Sequence, residues 1–149
     1  MVETDDAELL GLLRNQITRK DGFKLVLEKY QRKIYYFLRK MGLTHEDADE
    51  QVQEIFLRFW RKPNELKEHD RLDIALYRIA VETSFIFLRK QGGFIMNGLA
   101  PEQKVIFTLK QQEEFDFREI SDLTNLPVND VKEYFKLALN QMMANKNQG

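Results

Sequence analysis

Residues 44–63 read Thr44-His45-Glu46-Asp47-Ala48-Asp49-Glu50-Gln51-Val52-Gln53-Glu54-Ile55-Phe56-Leu57-Arg58-Phe59-Trp60-Arg61-Lys62-Pro63, and this stretch decides the fold class. Ala48, Val52, Ile55, Phe56, Phe59 and Trp60 recur at steps of three and four, the spacing that lines one face of an α-helix. Thr44 with Asp47 three residues on is an acidic variant of the capping box and starts that helix. Pro63 ends it, because proline disfavours helical backbone in the residue before it. The opposite side is acidic: Glu46, Glu50 and Glu54 share one face, with Asp47 and Asp49 beside them. Such a face invites a basic protein partner, and it is equally the pattern of an ordinary solvated helix surface.

The same periodicity extends in both directions. Upstream, Phe23, Leu25, Leu27, Tyr30, Ile34, Phe37 and Leu38 predict a long helix from about Phe23 to Met41, with Gly42 as its C-cap. Before it, Ala7, Leu9, Leu10, Leu12 and Leu13 mark a first helix from Thr4; Asp5 and Asp6 complement its dipole, and Asp21-Gly22 breaks it. Downstream, a polar loop from Pro63 to about Asp70 precedes Leu72, Leu76, Ile79, Ala80 and Thr83, which predict a fourth helix to Lys90. Residues 91–98 hold three of the chain's seven glycines and no charge, and form the best domain boundary. Beyond them Pro101 opens a helix carrying Val105, Ile106 and Leu109, and Asp116 opens another through Ile120 and Leu123. Asn125-Leu126-Pro127 interrupts the pattern. A last helix from about Asn129 carries Val131, Phe135, Ala138, Leu139 and Met142, before a polar tail from Asn145 to Gly149. The reading is all-α, with two small helical domains: a four-helix bundle over residues 1–90, a short linker over 91–98, and a helix-turn-helix domain over 99–149.

Composition narrows the function. With 23 Lys and Arg against 24 Asp and Glu in 149 residues, the net charge is −1, so no general electrostatic attraction to nucleic acid exists. The absence of cysteine excludes a disulfide framework, a thiol nucleophile and Cys-ligated metal, and two histidines leave little for a His-based site. No cofactor or metal is expected. The start of the chain is acidic where a signal peptide is basic, and no run of about 18 apolar residues occurs. The expectation is a soluble cytoplasmic protein with no membrane insertion.

Phe117 to Thr124 followed by Asn129 to Met143 has the spacing of a helix-turn-helix, whose second helix enters the major groove, or of an ordinary helical hairpin. Its charge opposes DNA: between Gln111 and Met143 seven acids (Glu113, Glu114, Asp116, Glu119, Asp122, Asp130, Glu133) face three bases (Arg118, Lys132, Lys136). Phosphate is repelled there unless Lys132 and Lys136 alone face it. Residues 14–40 are the reverse, nine bases (Arg14, Arg19, Lys20, Lys24, Lys29, Arg32, Lys33, Arg39, Lys40) against Asp21 and Glu28. That stretch reads either as a track for a phosphate backbone or as a solvated face with snorkelling side chains. Tyr77, Phe85 and Phe87 are ring faces for an unpaired base, or core. Glu46 beside His45, and Glu68-His69-Asp70, place acids next to histidine, but adjacency in sequence does not orient a proton relay and no nucleophile motif accompanies them. An enzyme is not expected.

Taken in order, these segments resemble the extracytoplasmic-function (ECF) branch of the sigma-70 family of bacterial RNA polymerase sigma factors. Asp47 to Trp60 is close to the family pattern DAEDLVQEVFLRxW. Phe23 to Gly42 resembles the helix before it, and Leu76-Tyr77-Arg78-Ile79-Ala80 the stretch after it; together these form region two. Pro101 to Phe107 resembles the opening of region four, and Arg118-Glu119-Ile120-Ser121 with Val131-Lys132 its helix-turn-helix. The resemblance implies a factor that joins core RNA polymerase, directs it to a promoter and helps open the duplex, with no chemistry of its own. It implies that Asp49, Glu50, Gln53 and Glu54 contact the polymerase's clamp coiled coil. The loop Pro63 to Asp73 and the helix Leu76 to Arg89 face the melted minus-ten element, with Arg78, Arg89 and Lys90 as DNA contacts. Lys132, Glu133 and Lys136 face the double-stranded minus-thirty-five element. An anti-sigma factor is a further implied partner.

Departures from the pattern fall mainly on the DNA-facing positions. Glu82 stands where the family has Asn, Ile86 where it has Asp, Tyr134 and Leu137 where it has two arginines, and Asp130 where it has Thr. Eight linker residues reach at most about 28 Å, which strains simultaneous contact with both promoter elements. Apolar Phe94, Ile95 and Met96 in that linker would instead dock the domains together. An alternative function follows from the acidic helix-turn-helix: a sigma-like binding module that engages polymerase or an anti-sigma partner and has lost promoter recognition.

Overall fold

The computed structural model describes residues 4–61, 71–90 and 99–148, and these form seven helices. In chain order they are α1 (Asp6–Arg14), α2 (Arg19–Lys40), α3 (His45–Arg61), α4 (Leu72–Lys90), α5 (Pro101–Gln111), α6 (Phe117–Thr124) and α7 (Val128–Gln148). The all-α expectation is met. The Pro63 to Asp70 loop with Glu68-His69-Asp70, and the linker with Phe94, Ile95 and Met96, lie outside the described residues. The chain divides into two compact units, residues 1–80 and 81–149, with the division inside α4.

In the first unit α1 packs on α2 and α2 on α3. Leu9, Val26, Ile34, Phe37, Leu38, Ala48, Ile55, Leu72 and Leu76 are all but fully buried. Phe37 of α2 meets Tyr77 of α4 edge to face, with centroids 5.6 Å apart. The periodicity of α2 and α3 built this core: every residue of α3 expected inside is buried except the half-buried Trp60.

The first helical break falls at Asn15 to Thr18, not at Asp21-Gly22 as expected. Thr18 Oγ1 donates to the Leu12 carbonyl at 2.9 Å and stabilises the turn. Gly22 lies buried inside α2, where an added Cβ would sit 2.8 Å from Leu12 Cβ. Its missing side chain serves close approach of α1, not termination. The two helices are also tied by Asp6, whose carboxylate accepts from Lys29 Nζ at 2.6 Å and from the Tyr30 hydroxyl at 2.5 Å. Burial, and then the Asp6 carboxylate, push the Tyr30 phenol pKa well up.

Gly42 ends α2 at φ 104°, a left-handed conformation, and its N–H donates to the Arg39 carbonyl at 3.0 Å. Thr44 Oγ1 accepts from the Asp47 N–H at 3.1 Å, so the cap read from the sequence starts α3.

The second unit wraps Val105, Ile106, Leu109, Ile120, Leu123, Val131 and Ala138 between α5, α6 and α7. Asp116 and Glu119 form a reciprocal capping box at α6, each side chain accepting from the other's N–H at 2.8 Å. Asn125 at φ 60° turns the chain, and Ser121 Oγ donates to the Leu126 carbonyl, so α6 and α7 form the expected helix-turn-helix. The expected polar tail is largely helical, since α7 runs to Gln148.

Candidate functional site

The amphipathic pattern of α3 dictates its surface. Because Ala48, Val52, Ile55, Phe56 and Phe59 face the core, Asp49, Glu50, Gln53 and Glu54 emerge together on the outer side, and all four are exposed. They make no hydrogen bond or ion pair among the described residues. Leu57, 40 % exposed, lies one turn further on. An exposed strip of three carboxylates and an amide with no internal partner keeps its charge available for a basic surface.

An open groove of about 410 Å³ borders this strip, between α2 and α3, and the sequence reading did not find it. Gln31, Arg32, Tyr35 and Tyr36 line one wall; His45, Asp49 and Val52 line the other. The Tyr35 hydroxyl is hydrogen-bonded to His45 Nδ1 at 2.5 Å. Tyr36 meets Tyr35 nearly edge-on at 5.2 Å and is 53 % exposed. At the other end of the pair, Arg19 donates to the Trp60 carbonyl at 2.6 Å and lies 4.0 Å from the centre of its ring, so one base of the cationic stretch is structural. Lys29, on Asp6, is a second.

The expected DNA contacts are dispersed over two elements. On α4, Arg78, Glu82, Ile86, Arg89 and Lys90 are exposed, and the Arg89 guanidinium lies 5.2 Å over the Phe85 ring. Tyr77 and Phe85 are 3 % and 8 % exposed, so neither ring is open to stack on a base; Phe87 is half-buried. On α7, Lys132, Glu133 and Lys136 are exposed together with Asp130, and Leu137 is 44 % exposed. Among the described residues no group of acids and histidines is arranged to hold a metal, and no helix is long and apolar enough to cross a membrane.

Residues 26–93 match the family description Sigma-70 region 2, and residues 94–142 match Sigma-70, region 4. The chain belongs to the ECF branch of the sigma-70 family. The two matches meet between residues 93 and 94. The sigma factor RpoE of Bartonella quintana, solved in complex with the anti-sigma factor NepR, superposes with a TM-score of 0.72 at 16 % identity, covering 84 % of this chain and 96 % of that one. That likeness is one of fold. No curated protein matches the sequence. As a sigma factor the protein acts in transcription initiation, with RNA polymerase and promoter DNA as its partners. Its region two spans α2 to α4, which puts the acidic strip of α3 at the centre of that region.

Proposed function

We propose that this sigma factor docks on core RNA polymerase through Asp49, Glu50, Gln53 and Glu54, and then presents α4 to the minus-ten element and α7 to the minus-thirty-five element. The observation that carries the reading is the exposed, internally unpaired acidic strip on α3, backed by a fully apolar inner face. A basic coiled coil is the partner such a strip fits, since charge complementarity gives both approach rate and register. The protein supplies no bond chemistry; its work is positioning.

On the DNA side, Arg78, Arg89 and Lys90 are the phosphate-facing groups of α4, and Lys132 and Lys136 those of α7, with Glu133 beside them. Exposed Asp130 and Glu133 oppose phosphate and favour a second reading, a polymerase-binding module that does not recognise promoters. An anti-sigma protein that shields the strip or the helix-turn-helix would hold either form inactive.

Transcription in vitro by core polymerase plus this protein on genomic fragments, with core binding measured in parallel, separates the two. Defined transcripts that vanish with the Glu50→Lys, Glu54→Lys double variant support the proposal. Core binding that the same variant abolishes, without any transcript, supports the second reading. Core binding that survives the double reversal overturns the assignment of the strip.

A further inference from the structure

We propose that the groove between α2 and α3 is a socket for an arginine side chain of the polymerase segment that docks on the acidic strip. The inference rests on the assignment of that strip to polymerase and extends it to residues of α2. Asp49 belongs to both surfaces: it stands in the strip and lines the groove, so the two are continuous. The floor is preformed, because the hydrogen bond to His45 fixes Tyr35 and Tyr35 braces the Tyr36 ring. Tyr36 is 53 % exposed, so its aromatic face is available without any rearrangement of the core.

This combination selects a flat cation. A guanidinium stacks on a ring face and still directs its N–H edge to a carboxylate, whereas an ammonium is a compact, strongly hydrated charge that does one or the other. Val52 gives the apolar stem of an arginine a surface to lie on. Arg32, on the opposite wall, opposes any cation, and the unpaired carboxylates Asp49, Glu50 and Glu54 outweigh it. That opposition makes Arg32 a sign test. Removing it tightens a cationic occupant and loosens an anionic one.

The test is the dissociation constant of the full-length protein for core polymerase, with helicity checked by circular dichroism for each variant. Tyr36→Leu, which keeps bulk and removes the ring, weakens binding by roughly fivefold to thirtyfold, and Tyr36→Phe restores most of it. Arg32→Ala tightens binding. Wild-type affinity in folded Tyr36→Leu overturns the socket, as does a loss of affinity in Arg32→Ala. The Glu50→Lys, Glu54→Lys variant tells the two levels apart. If it abolishes binding and Tyr36→Leu does not, only the socket fails; if it binds normally, the strip itself is misassigned.

Discussion

Asp6 shows how one carboxylate joins two helices. It accepts from both Lys29 and the buried Tyr30, which lie next to each other on α2, so α1 is fixed in position as well as by its apolar face. The phenol must stay protonated to donate that bond. Its pKa is raised in the fold and is about 10 in an unfolded chain, so the stability it contributes is complete below pH 10 and falls as pH rises above it. Tyr30→Phe leaves Asp6 paired with Lys29 and removes one charge-assisted bond. We expect it to lower the unfolding free energy by about 1–2 kcal/mol at pH 7. Urea unfolding at pH 8 and pH 11 checks the mechanism: the wild type loses more stability between the two than the variant does.

At the scale of the element, the contact between α2 and α3 is held at both ends by aromatic groups, Tyr35 and Tyr36 at one and Phe23 with Trp60 at the other. The Phe23 and Trp60 rings lie 4.8 Å apart, and Arg19 covers the indole. The chain has a single tryptophan, so its fluorescence reports this junction directly. Arg19→Ala leaves the Trp60 carbonyl without its charged donor; we expect a shifted emission maximum in the folded state and a loss of about 1–2 kcal/mol on thermal unfolding. An unchanged spectrum would mean that the guanidinium is solvated.

The helices and the strip were legible because both follow from periodicity: once Val52 and Ile55 face inward, Glu50 and Glu54 face outward. What the sequence hid was contact across elements. Gly22 reads as a breaker unless Leu12 is known to lie against it. Arg19 and Lys29 read as free charge until Trp60 and Asp6, far off in the chain, are placed beside them. The groove exists only once α2 and α3 pack side by side. The last turns of α7 carry no apolar repeat, yet a packed helix propagates outward at little cost, so Asn145 to Gln148 stay helical.

For the molecule as a whole, the near-zero net charge conceals a partition: bases crowd α2, acids crowd α3, and the helix-turn-helix is acidic. Polymerase therefore supplies most of the attraction for promoter DNA, and region four contributes few phosphate contacts. We expect a shallow dependence of minus-thirty-five binding on salt in the polymerase complex. Leu137→Arg adds a cation at an exposed position on α7 and steepens the slope of log K against log salt by about one. No change in slope would place that position away from the backbone.

The two-sided use of α3 bears on how the protein tolerates mutation. Five of its positions fill the core and four form the strip, so few substitutions in that helix are silent. A screen for lost transcription would collect changes on both sides, and cellular abundance would sort them. Inner-face hits such as Ile55→Ala expose an unfolded fraction to proteolysis and disappear, whereas outer-face hits such as Glu54→Lys accumulate as folded, idle protein.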